Sequence, residues 1–284
     1  MELLAPAKIN LFLYVTGRRP DGYHELCSLM CAVAIYDRLV LRMGGARSTV
    51  ACHGCDLPLD GTNLALGAVT VFNAALAAET QRRPEQVAIR LDKKIPVGAG
   101  LGGGSSDAAA VLKGLNAYHG HPFDEGRLCA LALVLGADVP FFIRGRPALV
   151  TGIGERIRPY AGLPAMDVVI VYPGFGLSTA AVFKNLNLAL TKSKKKLRYF
   201  PFNNGSFSAT HHLHNDLEAG VGEHFTVLAD IKERLCRLGA MGAAMTGSGS
   251  AVFGLFANAA DASKAKDVLE QQPGWQVFAT RLLT

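Results

Sequence analysis

A glycine-rich segment, Pro96–Ser106, is the part of the sequence whose residue types point most directly to chemistry. It reads PVGAGLGGGSS, with five glycines in eleven residues. Glycine loses more backbone entropy on folding than any other residue, so such a run is costly unless the backbone must approach a ligand closely. Backbone N–H groups that no Cβ atom shields bind phosphates well. The segment is therefore predicted to be a phosphate-binding loop.

A strand and a helix are predicted to hold this loop in place. The apolar residues of Val87–Leu91 alternate with polar or small ones, which predicts a half-buried strand that ends at Asp92–Lys94. Ser106 is a favourable N-cap for a helix whose apolar positions recur at helical spacing until Gly120. The N-terminus of that helix adds unpaired N–H groups and the positive end of a dipole to the anion site.

Two other interpretations of the loop stay open from the local sequence. A tight turn explains one or two glycines but leaves the rest of the run without a purpose. The spacing of Gly98, Gly100 and Gly103 also matches a dinucleotide-binding loop, and Asp124 or Glu125 lies about 20 residues further on. Asp124 follows a predicted helix and a turn, however, and not a second strand. A P-loop of the ATPase type is excluded, because no Gly-Lys-Ser/Thr sequence follows the glycines.

The remaining chain predicts an α/β protein of two domains. A second helix is predicted over Asp124–Leu135, and Asp138 falls in the turn that follows it. Gly145–Pro164 is rich in Gly and Pro, which is the composition of connections, and Val168–Tyr172 begins a new apolar strand. We therefore expect one domain over residues 1–150 and another over residues 151–284. Residues 184–212 are predicted to be an irregular excursion of the second domain.

Composition places the chain among globular proteins. Half of its 284 residues are apolar and 18% are charged, which excludes a disordered chain. The longest apolar runs, such as Leu128–Leu135, are too short to cross a bilayer, and the N-terminal residues lack the pattern of a signal peptide. We expect a cytoplasmic protein that does not bind membranes and is a monomer or a weak homodimer.

The net charge indicates which ligands the protein could bind, and the cysteines indicate its redox state and whether it holds zinc. The net charge of +6 suits anionic ligands, nucleotides and nucleic acids alike. The densest cationic run, Lys192–Arg198, lies in a polar stretch typical of a solvated loop, so we expect no nucleic-acid partner.

The six cysteines of so long a chain are expected to be reduced. Cys52 and Cys55 form one C-x2-C pair with no second pair nearby, which favours an ordinary turn over a zinc site.

Three separated segments, in the same order, resemble the motifs of one kinase superfamily. Pro96–Ala109 is similar to the phosphate loop of the superfamily of galactokinase, homoserine kinase, mevalonate kinase and phosphomevalonate kinase. Ala5–Leu11 resembles the N-terminal substrate motif of that superfamily, and Met245–Ser250 resembles its C-terminal glycine loop. Asp21–His24 and Leu135–Pro140 resemble the branch of the superfamily that phosphorylates a cytidine diphosphate sugar alcohol.

The resemblance extends from Pro6 to Phe253, with Asn215–Glu218 as a further matching segment. It implies a two-domain α/β fold with an N-terminal ATP-binding domain of ribosomal-S5-like β-α-β topology. It also implies a C-terminal α/β-sandwich domain and an active site in the cleft between the domains.

The resemblance also implies a reaction, which is transfer of the γ-phosphoryl group of ATP to the 2-hydroxyl of the sugar alcohol. This reaction belongs to the non-mevalonate isoprenoid pathway, and Mg²⁺ is expected as the counter-ion of ATP. One alternative is another small-molecule kinase of the superfamily, of the mevalonate or homoserine type. The other is a non-catalytic dinucleotide-binding module.

A catalytic pair, Lys8 and Asp138, is implied by the resemblance. Asp138 matches the residue that accepts the proton of the acceptor hydroxyl, and Lys8 matches the lysine held beside it. Asn10 lies two residues after Lys8, so it points to the same face of a strand and is expected to hold the acceptor polyol. The local sequence also allows Asp138 to cap a turn before Pro140, and Lys8 to be only its structural partner.

Recognition of a cytosine base is implied for three positions. Tyr23, His24 and Phe183 match residues that clasp the base between rings and hydrogen-bond its polar edge through the histidine. Thr179, four residues before Phe183, is a further expected substrate contact. Without the resemblance, ordinary packing would explain Tyr23 and Phe183 as well.

The expected ATP-binding residues are those of the glycine loop and two residues for the adenosine part, namely Pro96, Val97, Gly98, Ala99, Gly100, Leu101, Gly102, Gly103, Gly104, Ser105, Ser106, Asn63 and Lys93. No residue is assigned as a metal ligand, and Mg²⁺ is expected to reach the protein through ATP and through Ser105 or Ser106. Gly247–Ser250 is consistent with packing against the phosphate site and with a bend in a strand.

Overall fold

The computed structural model describes residues 1–55, 57–186 and 207–284. Contacts divide the chain into two compact units. The first unit comprises Met1–Ala7, Ile35–Val97 and Gly102–Gly145, and the second comprises Lys8–Ala34, Gly98–Leu101 and Arg146–Thr284. Two long strands, β1 (Glu2–Arg18) and β2 (His24–Met43), contribute residues to both units. The domain boundary near residue 150 stays a prediction.

The first unit combines strands with a group of helices. Its strands include β3 (Thr49–His53) and β4 (Val87–Asp92), which stand in the order β3–β4–β2. Strand β4 is parallel to β3 and antiparallel to the second half of β2, with Arg38 opposite Asp92. The helices, which pack on one another, are α1 (Leu64–Glu79), α2 (Gly103–Tyr118), α3 (Glu125–Leu135) and α4 (Val139–Arg144). Strand β4 and helix α3 lie where the sequence predicts them.

Two of these helices begin at side-chain caps. Asn63 Oδ1 accepts a hydrogen bond from the N–H of Ala65 at 3.0 Å, which starts α1. Asp124 Oδ1 accepts from the N–H of Arg127 at 2.7 Å, which starts α3. Each side chain satisfies an N–H group that the first helical turn leaves without a partner.

Helix α2 begins earlier than the sequence predicts, and Ser106 is not its N-cap. The N-cap is Gly102, whose φ of 71° lies in the left-handed region. The N–H of Ser106 already donates to the carbonyl of Gly102 at 2.9 Å, within the first helical turn. Glycine adopts a left-handed conformation without steric cost, so the chain turns into the helix while still inside the glycine run.

The second unit is a sheet with helices packed on it. Its strands stand in the order β2–β11–β7–β10–β9, each antiparallel to the next. The first half of β2 is joined there by β7 (Asp167–Tyr172), β9 (Gly242–Met245), β10 (Val252–Phe256) and β11 (Gln276–Leu283). In addition, β5 pairs with β2 and with β6, and β8 is parallel to β1; these strands are β5 (Ala148–Gly152), β6 (Arg156–Pro159) and β8 (His214–Asn215).

Helices cover the strands of the second unit. They include α5 (Thr179–Asn185), α6 (Ala209–His212), α7 (Phe225–Arg237) and α8 (Ala259–Leu269). Leu228, Ile231 and Leu235 recur at helical spacing along α7 and are buried where this helix packs on β9 and β10. Helix α8 packs on β7, β10 and β11. This packing explains the unbroken apolar run Val168–Val171, which is fully buried in β7.

Two expectations for the second unit differ from the structure. Gly145–Pro164 is more than a connection, because it contains β5 and β6. Pairing of β5 with β2 stabilises a strand that the Gly and Pro content of this segment obscures. The ends of the segment 184–212, predicted to be irregular, belong to α5 and α6. The cationic run Lys192–Arg198 lies outside the described residues.

The mixture of strands and helices confirms the predicted α/β class. In the part of the chain that the structure describes, no helix is long and apolar enough to span a membrane. All six cysteines are free thiols, and the Sγ atoms of Cys52 and Cys55 are 3.5 Å apart, which is contact without a bond. The described residues include no group of three or more His, Cys, Asp or Glu arranged to hold a metal ion.

Candidate active site

The glycine loop 96–106 has a backbone that other residues rarely adopt. Gly98, Gly100 and Gly102 have φ of 69°, 76° and 71°, so every second residue of this stretch is left-handed. Because α2 begins at Gly103, the N–H groups of its first residues have no acceptor within the helix. A turning backbone followed by a helix N-terminus is an arrangement that binds anions.

A second glycine-containing loop, Thr246–Ser250, packs against residues of the first. A Cβ atom on Gly100 would lie 2.1 Å from the carbonyl oxygen of Thr246, and one on Gly247 would lie 2.9 Å from the carbonyl oxygen of Gly100. The two backbones therefore touch at positions where only glycine fits. The sequence of Gly247–Ser250 is consistent with packing against the phosphate loop or with a bend in a strand. This contact supports packing against the loop.

Lys8 and Asn10 lie together on β1, as the period of two predicts. Both side chains are 3% exposed, and the Lys8 ammonium donates a hydrogen bond of 2.6 Å to Asn10 Oδ1. The N–H of Lys8 donates to the carbonyl of Leu101 at 2.9 Å, so the strand also holds the first glycine loop. A Cβ atom on Gly247 would lie 3.1 Å from the Lys8 ammonium nitrogen. The lysine thus meets both glycine loops.

Ser28 determines which way the Asn10 amide points. The Ser28 hydroxyl donates to the carbonyl of Phe12 at 2.7 Å, so its lone pairs accept from Asn10 Nδ2 at 2.8 Å. That bond leaves Asn10 Oδ1 facing the Lys8 ammonium. Thr246 Oγ1 adds a bond of 3.1 Å from the N–H of Asn10. Sequence reasoning missed Ser28, because its partners on β1 are distant in the sequence.

Replacing Ser28 with alanine is expected to lower kcat about tenfold, a loss of about 1.4 kcal/mol of transition-state stabilisation. Without the hydroxyl, the Asn10 amide can rotate and present its NH₂ group to the Lys8 ammonium. Steady-state kinetics with both substrates varied would measure this change. Threonine at position 28 retains the hydroxyl and should restore most of the rate. A wild-type kcat for Ser28→Ala would contradict the orienting role.

Asp138 lies in the first unit, at the residue that precedes α4. Its side chain accepts no capping hydrogen bond from that helix. Pro140, at the second helical position, has no N–H group to offer. The Asp138 side chain therefore does not cap α4.

Of the three residues expected to recognise cytosine, His24 and Phe183 contact each other. The rings of His24 and Phe183 are stacked, with centroids 4.8 Å apart and planes inclined by 20°. The Tyr23 side chain is 61% exposed. Burial lowers the pKa of His24 below its ordinary value, and the charge of Arg18 lowers it further, so the neutral form of the imidazole is favoured. A neutral imidazole offers one donor and one acceptor.

Thr179 is the first residue of α5 and contacts the second glycine loop. Its hydroxyl is 2.8 Å from that of Ser248, within hydrogen-bond distance. The structure therefore brings Thr179 to the loop that also packs on Gly100 and Lys8.

Asn63 and Lys93, the residues expected near adenosine, have polar ends that bond within the first unit. Asn63 caps α1 and donates to the carbonyl of Pro58 at 2.9 Å. The Lys93 ammonium lies between the carboxylates of Asp37 and Asp107. Sequence reasoning missed Asp37, since an isolated aspartate in the middle of a strand carries no local signal.

Comparison with known proteins shows the family and the fold of the chain. The family model of the GHMP kinases N terminal domain matches residues 63–146, and that of the GHMP kinases C terminal matches residues 203–274. A homoserine kinase from Cytophaga hutchinsonii shares the fold, with a TM-score of 0.73 at 20% identity over 99% of this chain and 94% of that chain.

Closer relatives cover both chains almost completely. A 4-diphosphocytidyl-2-C-methyl-D-erythritol kinase of Syntrophotalea carbinolica is 46% identical over 98% of this chain and 97% of its own. One of Syntrophus aciditrophicus is 40% identical over 99% of each. A crystal structure of a 4-(cytidine 5'-diphospho)-2C-methyl-D-erythritol kinase has a TM-score of 0.80 and 38% identity, over 99% of both chains. The chain therefore belongs to the GHMP kinases, in the family of the 4-diphosphocytidyl-2-C-methyl-D-erythritol kinases.

Proposed function

We propose that the protein transfers the γ-phosphoryl group of ATP to the 2-hydroxyl of 4-diphosphocytidyl-2-C-methyl-D-erythritol, forming the 2-phosphate and ADP. This step would serve the non-mevalonate synthesis of isoprenoid precursors. The observation that carries the proposal is the contact of Lys8 with both glycine loops and of Asn10 with the second of them. It places a cation and an amide beside backbone suited to phosphate, in a chain whose relatives carry the name of this activity.

Phosphoryl transfer requires mainly positioning and neutralisation of charge. Asp138 would accept the proton of the 2-hydroxyl as that oxygen attacks the γ-phosphorus. The Lys8 ammonium would stabilise negative charge on the attacking oxygen. The Asn10 amide would hold the polyol at a fixed distance from that cation. Each group acts by position, and none forms a covalent intermediate.

The stacked pair of His24 and Phe183 supports recognition of the cytidine part. Aromatic faces bind a flat base, and a neutral imidazole can both donate to and accept from the polar edge of cytosine. Tyr23, exposed beside His24, would supply a further ring, and Thr179 a hydroxyl contact to the substrate. This set distinguishes the proposed substrate from acceptors that carry no base.

ATP is the co-substrate, and the glycine loop 96–106 would hold its phosphates. Mg²⁺, when bound, would neutralise charge on the phosphate oxygens. The residues fit such an ion, because the Ser106 hydroxyl is buried and, among the described residues, has no hydrogen-bond partner. Ser105 and Ser106 would supply neutral oxygen ligands.

Asn63 and Lys93 would contact the adenosine part of ATP through their backbone and aliphatic atoms, because the polar ends of both side chains already bond to other residues.

We propose that the protein is cytoplasmic and either a monomer or a weak homodimer.

The direct test is release of ADP from Mg·ATP by the purified protein. We expect release to depend on 4-diphosphocytidyl-2-C-methyl-D-erythritol and to be absent with mevalonate or homoserine. Release with mevalonate or homoserine alone would keep the kinase and overturn the substrate. Binding of a dinucleotide without any turnover of ATP would overturn the kinase itself.

Replacing Phe183 with leucine is expected to raise KM for the cytidine substrate at least fivefold. Leucine retains apolar volume against the core but has no flat face, and stacking on a base is worth about 1–3 kcal/mol. KM for ATP serves as the internal control and should stay within about twofold, because the Phe183 ring is assigned to the base of the acceptor and not to ATP. An unchanged KM for the cytidine substrate would remove Phe183 from the base site.

A further inference from the structure

Three charged side chains are buried together in the first unit: Asp37 on β2, Lys93 just after β4, and Asp107 on α2. Their side chains are 0%, 4% and 3% exposed. The Lys93 ammonium bonds to Asp107 Oδ2 at 2.8 Å and to Asp37 Oδ2. Burying charged groups costs free energy even when they are paired. A buried cluster of two carboxylates and one ammonium therefore indicates a specific role for these residues.

The cluster joins the two ends of the glycine loop. Asp37 Oδ1 accepts hydrogen bonds from the N–H groups of Lys94 at 2.6 Å and Ile95 at 2.9 Å, the residues just before Pro96. Asp107 directly follows Ser106, the last residue of the loop. Asp37 therefore holds the chain that enters the loop, and Lys93 connects it to the chain that leaves.

The start of α2 rests against the same cluster. A Cβ atom on Gly103 would lie 3.1 Å from the Lys93 ammonium nitrogen and 3.3 Å from Asp37 Oδ2. The absence of that atom lets the first helical residue approach the charges closely. One glycine of the loop is thus explained by the cluster rather than by contact with phosphate.

The Lys93 ammonium is held as a cation between the two carboxylates. Burial lowers the pKa of Lys93, but Asp107 and Asp37 outweigh this effect and raise it overall. The hydrogen bonds that join the two ends of the loop are therefore charge-assisted, and such bonds are stronger than those between neutral groups.

We propose that Asp37, Lys93 and Asp107 are positioning residues for ATP, which tie both ends of the loop 96–106 to β2 and so pre-organise its N–H groups. The inference rests on the proposed function only in taking this loop as the ATP site. Pre-organisation favours affinity, because less conformational freedom is lost when the ligand binds.

The first test is the Kd of ATP, measured by titration calorimetry without the acceptor. Asp37→Asn should raise this Kd about tenfold or more, because an NH₂ group replaces one of two carboxylate oxygens that both accept hydrogen bonds. Under saturating ATP, kcat should change less than about threefold. Asp92→Asn is the matched control: Asp92 ends strand β4, directly before Lys93, but pairs with Arg90 outside the buried cluster. Equal Kd values for the two variants would overturn the proposal.

The second test is the Kd of ATP for Asp107→Asn, measured in the same way. The amide keeps the shape of the side chain but weakens the bond from the Lys93 ammonium that joins the two ends of the loop, so the Kd should rise at least about threefold. A wild-type Kd for Asp107→Asn would overturn the proposed role of Asp107, even if Asp37→Asn fails to fold. Because ATP binding is measured without turnover, a protein that binds ATP normally but releases no ADP would refute the proposed function and leave this inference intact.

Discussion

Asp138→Asn is expected to lower kcat at least a hundredfold, a loss of about 2.7 kcal/mol of transition-state stabilisation. Asparagine has nearly the same shape but cannot accept a proton, so the variant removes the base and leaves the packing. The Kd of ATP should stay within about threefold, since the carboxylate is assigned to the acceptor hydroxyl. Single-turnover assays with saturating ATP and acceptor would isolate the chemical step.

Asp124→Asn is the matched control, because Asp124 also precedes a helix of the first unit. Its carboxylate caps α3, whereas that of Asp138 makes no capping bond to α4. Asparagine caps helices as well as aspartate does, so Asp124→Asn should keep both its rate and its melting temperature. If Asp138→Asn were as active as this control, Asp138 would be a structural residue and the base would have to be sought elsewhere.

Gly100→Ala is expected to have the other large effect, on both stability and turnover. Position 100 has φ of 76°, and an added Cβ atom would lie 2.1 Å from the carbonyl oxygen of Thr246. The left-handed conformation alone costs about 1–2 kcal/mol for alanine. The collision must also push the two glycine loops apart, so we expect a total of at least about 3 kcal/mol and a melting temperature roughly 6–10 °C lower.

Gly274→Ala measures the cost of a left-handed backbone conformation for alanine without any steric collision. Gly274 has φ of 80°, and nothing lies within 4 Å of the position of its Cβ atom. Its substitution should cost about 1–2 kcal/mol and leave the Kd of ATP and kcat unchanged. Thermal melts and ATP titrations of both variants would measure the two effects. Equal losses in the two variants would show that the contact between the loops contributes nothing beyond local strain.

Several features of the protein follow from local sequence. The run Pro96–Ser106 predicts a phosphate loop because glycine is costly where no ligand requires it, and the structure places left-handed glycines there. Strand β4 and helix α3 also follow from short-range patterns of apolar residues and caps. The ordered motifs were sufficient to identify the kinase family to which the chain belongs.

Other features depend on residues that are far apart in the sequence. Strand β5 is stabilised by pairing with β2. The Gly and Pro content of Gly145–Pro164 predicts a connection there, so local sequence does not reveal the strand. Helix α2 begins at Gly103 and not after Ser106, because several consecutive glycines allow more than one place to turn. Local propensity cannot choose between such alternatives when tertiary contacts contribute more free energy.

The sequence alone determined which chemical groups the protein offers, and the tertiary structure decided which of them meet. Lys8 and Asn10 share a strand face by the period of two, so their contact is predictable from spacing. The Ser28 hydroxyl that orients Asn10 comes from another strand, and Asp37 meets Lys93 across 56 positions of the chain. Hydrogen bonds and ion pairs act over a few ångströms of space, so only the folded chain reveals them.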